Sequence, residues 1–115
     1  MAVTVYGIPN CDTVKKARKW LDANGVEFDF HDYKKHGIDA ASLKAWSKAV
    51  GWEALLKKRG TTFRKLAESD KENLTEAEAI KLMQAHTSLI KRPMIIKGKK
   101  HVLGFDEAEY KKSLI

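Results

Sequence analysis

Hydrophobic and polar positions change their period twice in the first third of the chain. Residues 2–6, AVTVY, alternate as in a β-strand and lead into a turn that contains glycine and proline. From about residue 12 the apolar residues recur at helical spacing until Asn24-Gly25, where glycine suits the left-handed end of a helix. Residues 26–33, VEFDFHDY, return to alternation. This order predicts a βαβ unit, whose two strands run parallel and are joined by a right-handed crossover.

The middle of the chain has a helical pattern without a good strand. From Asp39 to about His86, apolar residues recur three and four positions apart. Thr75 and Glu78 have the spacing of a capping box. The helix behind this capping box is expected to bury three residues, Ala79, Leu82 and Met83. The stretch is too long for a plain connection, so we expect a helical insertion over about residues 38–88.

The last quarter of the chain returns to strands. The segment RPMII is typical of a strand that begins at a proline, with KGKK as a turn and HVLG as its antiparallel partner. Asp106 and Glu109 are spaced to cap a final helix. The whole order is β-α-β, a helical insertion and β-β-α. It predicts an α/β fold with a mixed four-stranded sheet in a single domain, residues 1–115.

Composition narrows the class of protein. A chain of 115 residues, 43% of them hydrophobic, is long enough to bury a core without metals or disulfides. Its apolar runs are all far shorter than the ~18 residues of a membrane helix, and the strand pattern begins at Ala2. We therefore expect neither a membrane partner nor a signal peptide. With one cysteine the chain cannot form an internal disulfide, which fits a reducing, cytoplasmic compartment.

The net charge of +7 could attract nucleic acid or anionic small molecules. The lysines are, however, spread along the chain and interleaved with acids, and the sequence has no zinc-finger spacing or glycine-rich phosphate loop. We therefore expect a solvated basic surface, no nucleic-acid partner and a monomer. The four histidines lie far apart in the sequence, so we expect no metal site.

Cys11, the single cysteine, allows two interpretations. A lone cysteine commonly packs as a small buried hydrophobic residue. Cys11, however, follows the turn between the first strand and the first helix. There the unpaired amide hydrogens and the positive end of the helix dipole favour a thiolate; Lys15 would add attraction and Asp12 would oppose it. This second interpretation predicts a partly exposed thiol with a pKa below that of a free cysteine.

Four segments resemble the arsenate reductase (ArsC)/Spx family, particularly its YffB-like branch. They are, in order, YGIPNCDTVKKARKWL, HDYKKHGID, GWEALLKKRGTTFRKL and LIKRPMII, and the resemblance extends over essentially the whole chain. It implies a thioredoxin-like fold with a helical insertion, in agreement with the element order. It also implies that the bond between Arg92 and Pro93 is the cis-proline bond of thioredoxin-like proteins, which would place Pro93 opposite the thiol.

The resemblance also implies roles for individual residues. Cys11 matches the reactive cysteine of the family and is the expected catalytic residue. The expected substrate-binding residues are Arg92, Arg59, Lys57, Pro93, Thr13 and Asn10. Phe105 stands where arsenate reductases have a third arginine, and Val14 where Spx regulators have a second cysteine. The arsenate cradle is therefore incomplete, and the dithiol of the regulators is absent.

The favoured function is a monothiol reductase without a bound cofactor. The Cys11 thiolate would attack a disulfide or an oxyanion substrate, and an external thiol would resolve the product, with glutathione as the expected co-substrate. Arg92, Arg59 and Lys57 would bind carboxylates of glutathione or of another anionic substrate, although both arginines also fit ordinary surface charges. Glutaredoxin is a further candidate partner. The alternative is an Spx-like regulator that docks on RNA polymerase or another acidic partner without catalysis.

Overall fold

The computed structural model describes residues 3–57, 61–65 and 74–114. They fall into two compact units, one made of Met1–His36 with Arg92–Ile115 and the other of Gly37–Lys91. The first unit contains the sheet, and the second is built from helices. The helices are α1 (Asp12–Ala23), α2 (Tyr33–His36), α3 (Ala40–Val50), α4 (Trp52–Leu55), α5 (Thr61–Arg64), α6 (Glu76–Ala85) and α7 (Glu107–Leu114), with a 3₁₀ turn at Thr87–Leu89.

Four strands form one mixed sheet in the order β2-β1-β3-β4. They are β1 (Val3–Gly7), β2 (Asp29–Asp32), β3 (Met94–Lys97) and β4 (Lys100–Leu103). β1 pairs parallel with β2, with Tyr6 opposite His31, and antiparallel with β3, with Tyr6 opposite Met94. The ends of β1 and β2 and the start of β3 therefore meet at one edge of the sheet. The predicted α/β fold with a mixed four-stranded sheet, in the order β-α-β, helical insertion and β-β-α, is confirmed.

The core of the sheet unit lies between one face of the sheet and helices α1 and α7. Val5 and Ile95 on neighbouring strands are fully buried, as are Ala17 and Leu21 of α1 and Tyr110 of α7. Ala17 and Leu21 lie four positions apart on α1, and Val5 lies on the buried face of the alternating strand β1, as the pattern predicted. Each large apolar side chain buried in this way stabilises the fold by roughly 1.5–3 kcal/mol.

The helical unit has side-chain caps at the starts of two helices, of which the one at Thr75 was predicted. The Asp39 carboxylate accepts a hydrogen bond from the Ser42 N–H at 2.7 Å at the start of α3, which ends at Gly51 with a φ of 89°. The Thr75 hydroxyl accepts one from the Glu78 N–H at 3.4 Å at the start of α6. This unit comprises Gly37–Lys91, and the insertion over about residues 38–88 stays a prediction. The assignment of the whole chain to a single domain stays a prediction.

Three local expectations were wrong. Strand β2 comprises only Asp29–Asp32, because these are the residues that pair with β1; Val26 and Phe28 pack against the core from outside the strand. Helix α2, directly after β2, was not predicted, and a four-residue helix is too short to show a period. In α6, Ile80 is buried and Leu82 is only partly buried, because the buried face of the helix consists of Ala79, Ile80 and Met83.

None of the helices in the described parts of the chain combines the length and the apolar character needed to span a membrane.

Candidate active site

Cys11 lies at the junction of β1 and α1. It occupies the N-cap position of α1 with an extended backbone (φ −112°, ψ 125°), and its carbonyl accepts a hydrogen bond from the Lys15 N–H at 2.9 Å. The side chain is partly exposed, as predicted for a reactive thiol, rather than packed in the core. The turn directly before it, at Pro9 and Asn10, places the sulfur at the first turn of the helix.

The surroundings of Cys11 make its thiol more acidic. Partial burial raises the pKa of the Cys11 thiol. The backbone N–H of Val14, a hydrogen bond and the positive charge from Arg92, and the backbone N–H of Thr13 together lower it by more. The net pKa therefore lies below the ordinary value of 9.0. The thiol makes no side-chain capping hydrogen bond at the start of α1. The amides of Val14 and Thr13 are nevertheless donors that favour the thiolate form of Cys11. Lys15 and Asp12 are not among the groups responsible; the donors are the backbone and Arg92.

Arg92 and Pro93 reach the same edge of the sheet from another strand. They directly precede β3, which starts where β1 ends, because these strands run antiparallel. The Arg92–Pro93 peptide bond is cis, as the resemblance implied. Pro93 is buried, and its carbonyl accepts a hydrogen bond from the Gly104 N–H at 2.8 Å, whereas Arg92 is partly exposed and interacts with the sulfur.

Of the remaining predicted site residues, two lie beside Cys11 in the chain, one belongs to the helical unit and one is not described by the structure. Thr13 is partly buried in the first turn of α1, and Asn10 is exposed in the turn before Cys11. Lys57 belongs to the helical unit, where its side chain is exposed and its N–H donates to the Leu89 carbonyl at 2.6 Å. Arg59 lies outside the described residues. The structure therefore brings Cys11, Thr13, Arg92, Pro93 and Asn10 to one edge of the sheet unit.

Phe105 stands, by the resemblance, where arsenate reductases have a third arginine. It packs against the core of the sheet unit, and its ring meets that of Tyr110 edge-on at 5.3 Å. An apolar residue in this contact cannot bind an oxyanion. Phe105 thus lacks the positive charge of an arginine and also contributes to the packing of the sheet unit.

Tyr33 is a residue of this edge that sequence reasoning did not select. It follows β2 directly and is only 2% exposed. Burial raises the pKa of the Tyr33 hydroxyl, the nearby Tyr6 hydroxyl raises it further, and the charge of Arg92 opposes both effects. The available signal was its place just after the strand that pairs parallel with β1, because the carboxyl ends of parallel strands share an edge.

Among the described residues, no three His, Cys, Asp or Glu side chains are grouped so that they could bind a metal ion.

Gly7 allows α1 to approach the end of β1 closely. A Cβ atom at this position would lie 2.8 Å from Cγ2 of Val14, which is fully buried. Gly7→Ala should therefore lower the free energy of unfolding by about 1–3 kcal/mol, as overpacking typically does. It should also raise the pKa of Cys11, since the displaced residue is Val14, whose amide faces the sulfur. Urea unfolding and the pH dependence of alkylation by iodoacetamide measure the two effects.

Val14→Ala supplies the control for this prediction. It removes the methyl group that a Cβ atom at Gly7 would meet, so the loss of stability in the double variant should be smaller than the sum of the two single losses. Strictly additive losses would show that this contact does not limit the approach of α1 to β1.

A protein family and several known proteins resemble this chain over nearly its whole length. A profile of the ArsC family matches residues 6–113. The solved structure of the protein YFFB is 49% identical with a TM-score of 0.96 and covers 98% of this chain and 99% of its own. An arsenate reductase (ArsC) related protein from Brucella melitensis is also 49% identical, with a TM-score of 0.77, and covers 99% of this chain and 95% of its own. The global transcriptional regulator Spx of Streptococcus mutans is 33% identical over 93% of this chain and 79% of its own.

The matched region includes every residue of the candidate site. The similarity to YFFB and to Spx confirms the resemblance expected from the four sequence segments, including the YffB-like branch. With nearly its full length matched by the family profile, the chain belongs to the ArsC family.

Proposed function

We propose that this protein is a monothiol reductase that uses the Cys11 thiolate and takes its second thiol from glutathione. The observation that carries the proposal is the position of Cys11 at the N-cap of α1, with its pKa lowered by the Val14 amide and Arg92. A thiolate is the nucleophilic form of cysteine, and such surroundings are typical of reactive rather than structural cysteines.

The reaction consists of two thiol–disulfide exchanges. In the first, the Cys11 thiolate attacks one sulfur of a substrate disulfide, forms a mixed disulfide and releases the other sulfur as a thiolate. In the second, a glutathione thiolate attacks the mixed disulfide and releases the Cys11 thiolate. These two exchanges convert the substrate disulfide and one glutathione into one free thiol and a mixed disulfide of glutathione with the other half of the substrate. Attack of a second glutathione thiolate on that mixed disulfide releases the second thiol and forms oxidised glutathione, so that overall one disulfide is reduced and two glutathione molecules are oxidised. The resolving sulfur comes from outside the chain, because the sequence has one cysteine.

The positively charged groups of the proposed site favour a co-substrate that carries negative charge. Arg92 already interacts with the sulfur, and its planar guanidinium can also bind a carboxylate through two parallel hydrogen bonds. Glutathione carries two carboxylates, and the net charge of +7 favours its approach. We assign Lys57 and Arg59 as further carboxylate ligands, and Thr13, Asn10 and Pro93 as contacts to the peptide part of the substrate. Glutaredoxin is the proposed macromolecular partner that would accept the glutathionyl group.

Reduction of an oxyanion such as arsenate is a weaker form of the same proposal. The chemistry would again begin at Cys11, but the third cation is replaced by Phe105, which packs on Tyr110. We therefore place disulfides before oxyanions as substrates. A reactive thiol that depends on reduced glutathione also fits a monomer working in the cytoplasm, where thiols are kept reduced.

A regulator without catalysis is the second candidate. Relatives named Spx, 28–33% identical over 93% of this chain, favour it. In that role the chain would dock on RNA polymerase or another acidic partner, and the acidity of Cys11 would have no purpose. A Cys11 pKa at or above 9.0, the ordinary value, would favour this candidate.

Incubation with oxidised glutathione tests the proposed function. We expect one glutathione per chain on Cys11 by mass spectrometry, and removal of this adduct by reduced glutathione. We also expect turnover of bis(2-hydroxyethyl) disulfide when glutathione reductase and NADPH regenerate reduced glutathione. Denatured protein at the same pH serves as the control and should react more slowly, because its thiol lacks the Val14 and Arg92 donors. Equal rates for folded and denatured protein would contradict the proposal.

A further inference from the structure

Helix α2 lies at the active-site edge and carries two lysines, Lys34 and Lys35, that the exchange mechanism does not use. Strands β1 and β2 run parallel and end opposite each other, with Gly7 paired to Asp32. The chain reaches Cys11 four residues after the end of β1, and it enters α2 directly after the end of β2. Because the carboxyl ends of parallel strands share an edge, α2 and the thiol lie at the same end of the sheet unit.

Three contacts hold α2 in place. Tyr33, its first residue, is only 2% exposed. The N–H of Lys34 donates to Oδ1 of the buried Asp32 at 2.8 Å. The ring of His36, the last residue of α2, lies 5.7 Å from that of His31 on β2, measured between centroids. Both lysines therefore belong to a short segment that is held at each of its ends.

The exposed side chains of α2 are all basic. Both lysines and His36 are exposed, and α2 contains no acidic residue. Two ammonium groups on a fixed segment attract anions that come within a Debye length, which is about 8 Å at physiological ionic strength. Neither lysine is among the groups that lower the pKa of Cys11. Their charges are therefore available to bind a substrate rather than to activate the thiol.

We propose that Lys34 and Lys35 form a subsite for the carboxylates of a substrate disulfide, so that the protein reacts faster with anionic disulfides than with neutral ones. The inference rests on the proposed function, because it assigns a disulfide as the substrate of Cys11. A lysine ammonium binds a carboxylate as a point charge on a flexible stem, without the fixed geometry of a guanidinium. The pair thus suits acidic groups that flank the disulfide bond at somewhat different positions in different substrates.

The test compares two aromatic disulfides that react once with Cys11. The 5,5′-dithiobis(2-nitrobenzoate) probe carries two carboxylates, and the 4,4′-dithiodipyridine probe carries none. With either probe, the Cys11 thiolate attacks one sulfur, forms a mixed disulfide and releases the other sulfur with the bonding electrons, and the released half is measured by its absorbance.

In Lys34→Gln/Lys35→Gln, we expect the second-order rate constant for the dianionic probe to fall about fivefold, the size expected for the loss of two exposed ion pairs. The rate constant for the neutral probe should stay unchanged, because the acidity of Cys11 does not depend on these lysines. An unchanged rate constant for the dianionic probe, or an equal fall for both probes, would overturn the proposal.

Lys111→Gln/Lys112→Gln is the matched control, because it removes the same exposed dipeptide charge near the end of α7. At that end the Leu114 carbonyl accepts a hydrogen bond from Nζ of Lys97 at 3.1 Å, and Lys97 pairs with Val3 at the start of β1. The five residues of β1 separate this end of the sheet from the thiol by about 13 Å, at ~3.3 Å per residue. Both rate constants should match those of the unmodified protein; a fall for the dianionic probe would assign the effect to net charge and contradict a local subsite.

Two further measurements separate charge from structure. Lys34→Arg/Lys35→Arg retains both charges and should retain the rate constant for the dianionic probe. The difference between the unmodified protein and Lys34→Gln/Lys35→Gln should disappear at about 1 M salt, where the Debye length is ~3 Å. A slow arginine variant, or a difference that persists at this salt concentration, would also contradict the proposal.

The probe reactions use no glutathione, so they separate this proposal from the proposed function. Charge selection by the two lysines without turnover in the glutathione assay would disprove the proposed function alone. Turnover with glutathione but without charge selection would disprove the subsite alone.

Discussion

Cys11→Ser is expected to abolish disulfide exchange while the protein remains folded. The serine hydroxyl is not ionised at neutral pH and cannot form a disulfide, so neither the glutathione adduct nor turnover of a model disulfide should rise above the uncatalysed background. The free energy of unfolding should change by about 0.5 kcal/mol or less, because Cys11 is partly exposed and serine is a favoured N-cap residue. Mass spectrometry and thermal unfolding give the two readouts.

Cys11→Ala separates the chemical role of this residue from a capping role. Alanine also lacks the thiol but cannot cap, so it should be about 1 kcal/mol less stable than the serine variant and equally inactive. If Cys11→Ser unfolds, Cys11 is a packing residue after all, and the thiolate interpretation is wrong.

Substitutions of Arg92 should separate charge from geometry. Arg92→Lys keeps a positive charge beside the sulfur but loses the planar fork, so the pKa of Cys11 should change little while glutathione binding weakens by roughly 1–3 kcal/mol, the scale of a hydrogen bond to a charged group. Arg92→Ala should weaken binding to a similar extent and also raise the pKa, since both the hydrogen bond and the charge are lost. Calorimetric binding of glutathione and pH-dependent alkylation measure the two effects.

Lys91→Ala is the matched control for Arg92. It removes an equal charge from the adjacent, exposed position, and both readouts should stay close to those of the unmodified protein. Unchanged affinity for glutathione in both Arg92 variants would remove this residue from the binding site and leave the anionic co-substrate without its main support.

The elements of the sheet unit could be predicted because their signals are local. Alternation in β1, the helical spacing of α1 and the Gly7–Pro9 turn lie within 25 residues, and together they place Cys11 at the helix N-terminus. The Thr75 and Asp106 caps were predictable for the same reason, since a cap and its partner are two or three residues apart.

The donors that surround the thiol were less predictable. A sequence shows which charged residues are close along the chain, so Lys15 was expected to lower the pKa of Cys11. The structure assigns this effect to the Val14 amide and to Arg92, which lies more than 80 positions away in the sequence. Arg92 was found through the family resemblance; Tyr33 was not found, because its position depends on which strands are neighbours. The length of β2 likewise depends on how many residues of β1 are available for pairing.

The N-cap position of Cys11 also bears on how the mixed disulfide is released. Donors that stabilise a thiolate stabilise it as a leaving group as much as they do as a nucleophile, and a thiol of lower pKa is expelled faster. In the proposed exchange, glutathione would attack the sulfur bound to Cys11, and the electrons would pass to the Cys11 sulfur, which the Val14 amide and Arg92 stabilise as a thiolate. On this proposal the mixed disulfide would be released without a second cysteine in the chain, because one helix terminus and one arginine would serve both steps.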